Sequence, residues 1–234
     1  MGTGSTKKRV FVWERSLRIF HWVNALSITI LLITGFYISS PFFGARIPEE
    51  AYYSFVMGWA RYIHFFFGFV FIASLIFRFY LFLVGNQYAK SNPLKASFWT
   101  GVLETGKHYL FMKNNKKHYV GHNPLAELSY WIFMGLGGLI VIATGLFLLF
   151  EPQPGTLLGS SVAWMTNIFG NSANIRGLHF FSAVAILVFV MTHHYFVLRE
   201  TWLERNKTLS SMFTGYKEMD DPGGSDDEPK RKAN

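Results

Sequence analysis

One apolar stretch near the C-terminus constrains the whole chain. Residues Gly177 to Leu198 carry an imidazole toward each end, His179 and His193, 14 residues apart. A helix of about 20 apolar residues crosses the hydrocarbon core of a bilayer. At 1.5 Å per residue the two Cα atoms lie about 21 Å apart along the axis, and His193 sits roughly 40° around the helix from His179. His194 lies roughly 60° off on the other side. One helix face therefore carries an imidazole near each membrane surface. Ionisable groups inside a membrane are costly and mark function. Two at opposite depths predict two redox centres stacked across a bilayer.

Three more stretches are long enough to span: Ile19–Ser39, Trp59–Val84 and Leu128–Phe150. Half of the residues are hydrophobic and only 15% are charged, which places the chain among integral membrane proteins. The expected fold is an all-α bundle of four transmembrane helices with no internal repeat. The third span holds no charge and no histidine, and its Gly135, Gly137, Gly138 and Gly145 let neighbouring helices approach. There are no cysteines, so disulfides, cysteine-ligated iron–sulfur clusters and covalent c-type haem are excluded.

The net charge of +8 belongs to loops rather than to a nucleic-acid surface. Lysine and arginine gather in the N-terminal segment, in the 85–127 connection and after Arg199. By the positive-inside rule both termini are cytoplasmic. The chain divides into a basic cytoplasmic segment, 1–18, a transmembrane domain, 19–199, and a polar tail, 200–234, disordered from Asp220 on. No cleavable signal is expected. The 85–127 connection carries an interfacial helix, Phe98–Met112. The outer connections are a short loop with Pro48, Glu49 and Glu50, and the nearly uncharged stretch 151–176.

Orientation gives each histidine a depth. His64 and His179 fall at the outer level, His21 and His193 at the inner, and each pair joins two different helices. Zinc wants three or four donors at one point. Here two imidazoles meet at each depth, and no Asp or Glu lies inside a span. Haem iron already has four porphyrin nitrogens, so two axial imidazoles complete it and leave no open position. Such a centre moves electrons and does not bind oxygen.

Other residues suit two haem b groups. Gly35, 14 residues after His21, leaves room for the outer macrocycle. Arg18 and Arg61 stand one turn before His21 and His64, as propionate partners or as snorkelling anchors. Arg78, 14 residues after His64, faces the inner level, where a propionate would pair with it. His194 reads as an interface or supporting residue.

The motifs Arg18-x-x-His21-Trp22, Met57-Gly58-x-x-Arg61-x-x-His64-Phe65, Gly121-His122-Asn123-Pro124-Leu125-Ala126, the His179/His193 spacing with Tyr195, Arg199-Glu200 and Met212-x-x-Gly215-Tyr216 resemble the cytochrome b subunit of membrane-bound uptake nickel–iron hydrogenases. The resemblance runs from about residue 10 to residue 217. It departs at Arg176, where many members carry another histidine. The histidine spacing alone is shared with formate dehydrogenase cytochrome subunits.

The resemblance implies a prokaryotic cytoplasmic-membrane protein that passes electrons from a periplasmic hydrogenase, through an outer and an inner haem, to the quinone pool. The partners implied are the hydrogenase small subunit with its C-terminal transmembrane helix, the large subunit indirectly, and a membrane quinone. The uncharged outer loop would dock the small subunit. A quinone would sit near His193, accept from Asn123 and draw a proton from His122. The competing reading of Gly-His-Asn-Pro is a turn, with Asn123 capping the third span and Pro124 opening it. Two functional alternatives remain: a formate dehydrogenase or related cytochrome subunit, and a haem-free transporter using its histidines as relays.

Overall fold

The computed structural model describes residues 7–41, 56–86, 93, 95–110, 112, 119, 121–204 and 208–220. In chain order the elements are β1 (Lys7–Phe11), α1 (Arg15–Ser39), α2 (Val56–Val84), α3 (Ala96–Tyr109), α4 (Pro124–Ser129), a π-helical turn (Tyr130–Leu136), α5 (Gly137–Phe150), α6 (Leu157–Val162), α7 (Trp164–Phe169), α8 (Ser172–Glu204), α9 (Thr208–Thr214) and β2 (Tyr216–Asp220). Four helices are long and apolar enough to span: Arg15–Ser39, Val56–Val84, Pro124–Phe150 and Ser172–Trp202. All four expected spans are present, and each helix starts earlier than its apolar stretch. Hydropathy locates the hydrocarbon, whereas a helix runs on until its end groups find partners. Asn123 supplies such an end: its Oδ1 accepts from Ala126 N at 2.8 Å, with Pro124 at the first position. This brings Glu127 into the first turn, beside the helix's positive end. The third span is therefore not free of charge. The loop at 42–55, with Pro48, Glu49 and Glu50, and the tail beyond Asp220 lie outside the described residues.

Three helices present the same heptad pattern. Inward stripes read His21/Ile28/Gly35 on α1, His64/Phe71/Arg78 on α2 and His179/Ile186/His193 on α8. A second heptad stripe on each helix faces lipid, Ile19/Leu26/Ile33, Phe69/Ile76/Leu83 and Phe181/Val188/Tyr195, every member at least half exposed. Seven residues turn a helix through nearly two full turns, so a heptad stripe keeps facing one neighbour. The middle residues Ile28, Phe71 and Ile186 are buried together and form an apolar layer between the two histidine levels.

α1 lies along α2, and α5 along α8. Gly138 brings α2 in close: a Cβ there would sit 3.1 Å from Leu75 Cδ1. Asn24 and Ser74 add a buried polar clasp between α1 and α2 at 2.9 Å.

The termini close one end of the bundle, called the near end here. β1 pairs antiparallel with β2, Arg9 opposite Glu218 and Phe11 opposite Tyr216. Val12 N and Trp13 N both donate to Gly215 O, at 2.9 and 3.1 Å. Gly215 has φ +86°, and a Cβ on it would lie 2.8 Å from Trp13 O, so only glycine fits this crossing. Trp13 Nε1 donates to Ser211 Oγ at 3.1 Å, and Val12, Trp13, Leu17 and Leu81 form a small core. Residues 208–220 are thus a folded cap rather than a free polar tail. α3 lies under this end, where Gly101 lets it approach Pro124. Its Tyr109 hydroxyl donates to Glu200 Oε1 at 3.1 Å.

Candidate functional site

At the far end, His64 on α2 faces His179 on α8, with ring centroids 6.4 Å apart. Each imidazole rests against a Thr-Gly step of a neighbouring helix. Thr34 Oγ1 lies 2.9 Å from His64 Nδ1, and Thr144 Oγ1 lies 2.9 Å from His179 Nδ1. Each threonine hydroxyl donates to a carbonyl one turn back, Ile30 O at 2.7 Å and Ile140 O at 2.6 Å. Having one hydrogen only, each oxygen accepts from the imidazole Nδ1–H. Both rings are then fixed with Nε2 as the lone-pair nitrogen, which is the nitrogen a metal takes.

The glycines seat the rings. A Cβ on Gly35 would stand 3.2 Å from His64 Cε1, and one on Gly145 3.2 Å from His179 Cε1. Gly35 therefore leaves room for the imidazole edge of His64. The far halves of α1–α2 and α5–α8 repeat one another: Thr34-Gly35 against Arg61-x-x-His64-Phe65-Phe66, and Thr144-Gly145 against Arg176-x-x-His179-Phe180-Phe181. The expectation of no internal repeat is corrected here. A handful of positions scattered over two long apolar helices leaves no contiguous similarity, yet their contacts coincide.

At the near end, His21 on α1 faces His193 on α8, again with centroids 6.4 Å apart. Its surroundings differ. His193 Nδ1 is 3.2 Å from the Tyr130 hydroxyl, which opens the π-helical turn. Such single wide turns inside helices collect at functional sites. His21 Nδ1 is buried with no hydrogen-bond partner among the described residues, and so is Arg18 Nε.

The spacing tests the haem expectation. A metal–imidazole nitrogen distance of about 2 Å, with that nitrogen about 1.2 Å from its ring centre, sets two axial imidazoles about 6.4 Å apart, centroid to centroid. Both pairs stand at that separation, with ring planes crossing at 68° and 55°. Among the described residues no group of three or more His, Cys, Asp or Glu could hold a free metal ion. Two donors per level and orphaned polar atoms at the near pair fit a group that brings its own equatorial donors.

Arg18 gives Nη1 to the Phe213 carbonyl, which ties α1 to α9. Arg61 is exposed at the far end, and Arg78 is half-buried at the near level, its charge acting on His122. His194 is exposed and bonds Val190 O of its own helix at 2.8 Å. His122 packs between Trp13, tilted at 42°, and Tyr130, edge-on at 77°, with centroids 4.6 and 4.9 Å away. Burial first, then the charge of Lys217, with His193, Arg78 and His21 behind it, pushes His122 down to about 3. Its ring is therefore held neutral at neutral pH. Asn123 does cap the third span, leaving only its Nδ2 for a ligand. The sequence reading missed Thr34, Thr144 and Tyr130, and took Gly145 for packing alone. The doubled Thr-Gly step was the available signal for three of these four.

Residues 12–215 match the family model described as prokaryotic cytochrome b561. The chain is 36% identical to the probable Ni/Fe-hydrogenase B-type cytochrome subunit of Rhizobium leguminosarum bv. viciae, covering 92% of each chain. It is 33% identical to that of Azotobacter vinelandii, over 94% of this chain and 95% of the relative. It is 32% identical to the probable Ni/Fe-hydrogenase 1 B-type cytochrome subunit of Escherichia coli strain K12, over 88% and 90%. With its four spanning helices and this match over nearly its full described length, the chain belongs to the prokaryotic cytochrome b561 family of integral membrane proteins.

Proposed function

We propose that this protein is a di-haem b cytochrome that anchors a nickel–iron hydrogenase to the prokaryotic cytoplasmic membrane and passes its electrons to quinone. The observation that carries the reading is the pair of imidazole pairs, each bridging two spans with centroids 6.4 Å apart, at two depths. Relatives named as hydrogenase cytochrome subunits, at 32–36% identity, support the partner. His64 and His179 hold one haem, His21 and His193 the other. Bound there, haem would supply a one-electron couple.

The chain's own residues do the rest. Thr34, Thr144 and Tyr130 orient the imidazoles, and hydrogen bonds of this kind fix ring direction and raise ligand basicity. The layer of Ile28, Phe71 and Ile186 excludes water between the levels. The clustering of basic residues supports a cytoplasmic near end. The far end then meets a periplasmic hydrogenase, whose small subunit docks on α6 and α7 through exposed Leu157, Trp164 and Ile168. The large subunit is held indirectly. Quinone is reduced at the near end, where Asn123 Nδ2 donates to its carbonyl. His193 stands near that site, with its Nδ1 3.2 Å from the Tyr130 hydroxyl.

The test is haem stoichiometry in the purified complex. Two haem b per chain are expected, falling to one in His64→Ala or His179→Ala, with hydrogenase subunits co-purifying. A colourless preparation rejects the reading in favour of a histidine relay, and formate dehydrogenase subunits in its place reject the partner. For the quinone site, Asn123→Asp keeps the helix cap and removes the amide donor. Hydrogen-to-quinone flow should fall at least tenfold with both haems retained; a wild-type rate moves the site elsewhere.

A further inference from the structure

We propose that Arg176 is the second of two guanidinium groups holding the carboxylates of the far haem, opposite Arg61; the proposal rests on the bis-histidine reading above. His64 and His179 share the same hydroxyl contact at 2.9 Å and the same glycine seat at 3.2 Å. Where two halves repeat this closely around a site, a residue placed in one half is matched in the other. Arg61 stands three residues before His64, and Arg176 three residues before His179. On a helix that offset is about 4.5 Å toward the far surface and about 60° around the axis.

The two imidazoles approach from opposite sides, so their arginines flank opposite faces of whatever lies between α2 and α8. Haem b carries two propionates on one edge. Two carboxylates at a membrane surface call for two cations, and guanidinium pairs with carboxylate through paired N–H donors. Both arginine side chains are exposed at the span end. Among the described residues they are the only lysine or arginine at that end.

The experiment is a redox titration of the purified complex, followed in the visible bands, on wild type, Arg61→Gln, Arg176→Gln, the double variant and Arg176→Lys. The far haem is identified as the one lost in His64→Ala. Removing a cation beside a carboxylate disfavours the reduced, more negative state. In Arg176→Gln the far haem's reduced-to-oxidised ratio at fixed potential should fall about tenfold, a shift of about 59 mV for one electron. Arg61→Gln should match it, the double variant should lose about a hundredfold, Arg176→Lys should recover most of the loss, and the near haem should stay put. A far-haem potential unmoved in Arg176→Gln but lowered in Arg61→Gln overturns the proposal and leaves the ligand assignment standing. Fewer than two haems in wild type overturns the reading beneath it.

Discussion

At the far pair both imidazoles give their Nδ1 proton to a threonine hydroxyl and both press against a glycine. At the near pair one imidazole meets a tyrosine on a π-helical turn, and the other has a buried Nδ1 without a partner among the described residues. The separation of the rings is the same. The far pair is thus built twice from one pattern. The near pair crosses between halves: α2 carries Arg78 where α8 carries His193, each 14 residues after its far histidine. The lesson is that ring separation follows from what is held, whereas hydrogen bonding to the rings follows from which helices supply them. The near level also adjoins the cap of the termini, so it faces polar surroundings that the far level lacks.

This contrast can be broken by mutation. The largest expected effect is the loss of a whole centre. His64→Ala and His179→Ala should give the same one-haem protein, and His21→Ala or His193→Ala the complementary one, read by haem content and redox titration. If one far variant keeps both haems, the far site is not a bis-imidazole pair.

Next come the hydroxyls. Thr34→Val and Thr144→Val should each weaken retention of the far haem by about 10–100-fold and raise its potential, because the ligand loses basicity. The two variants should agree with each other. Tyr130→Phe should raise the potential of the near haem only. Any shift of the far haem in Tyr130→Phe would show that the levels do not behave separately.

Smaller effects come from the seats. Gly35→Ala and Gly145→Ala should each push an imidazole by a few tenths of an ångström, at a cost of about 1–2 kcal/mol. The readout is thermal loss of the far haem band, equal in both variants.

The smallest is a pH effect confined to the near end. His122 has a folded value near 3, below its unfolded value, so folding releases protons in acid. The stability it contributes is complete above pH 6.5 and falls as pH drops toward 3, by up to about 1.4 kcal/mol per unit. Acidification from pH 7 to 5 should therefore lower the thermal midpoint more in wild type than in His122→Gln. Equal slopes would show that His122 is not buried neutral.

Much of the site was legible in the chain. Four apolar stretches fixed the number of spans, and histidines at matched positions within them fixed two levels. The heptad stripes His21/Ile28/Gly35, His64/Phe71/Arg78 and His179/Ile186/His193 also lie in plain view. These are one-dimensional properties, since depth in a membrane is simply position along a helix. Hydropathy alone set the helix starts too late, and at the third span the cap chemistry of Asn123 and Pro124 gave the true start.

What only tertiary structure decided is sideways. Which hydroxyl meets which Nδ1 depends on helix rotation and crossing, and no period in the chain encodes either. Thr34 and Thr144 became ring supports only once their helices lay beside α2 and α8. The same holds for the cap, where Phe11 meets Tyr216 across nearly the full length of the chain. Sequence alone set the composition and depth of each span, through burial of apolar surface in lipid. Folding set the azimuth of every side chain, through short-range contacts between residues far apart in the chain.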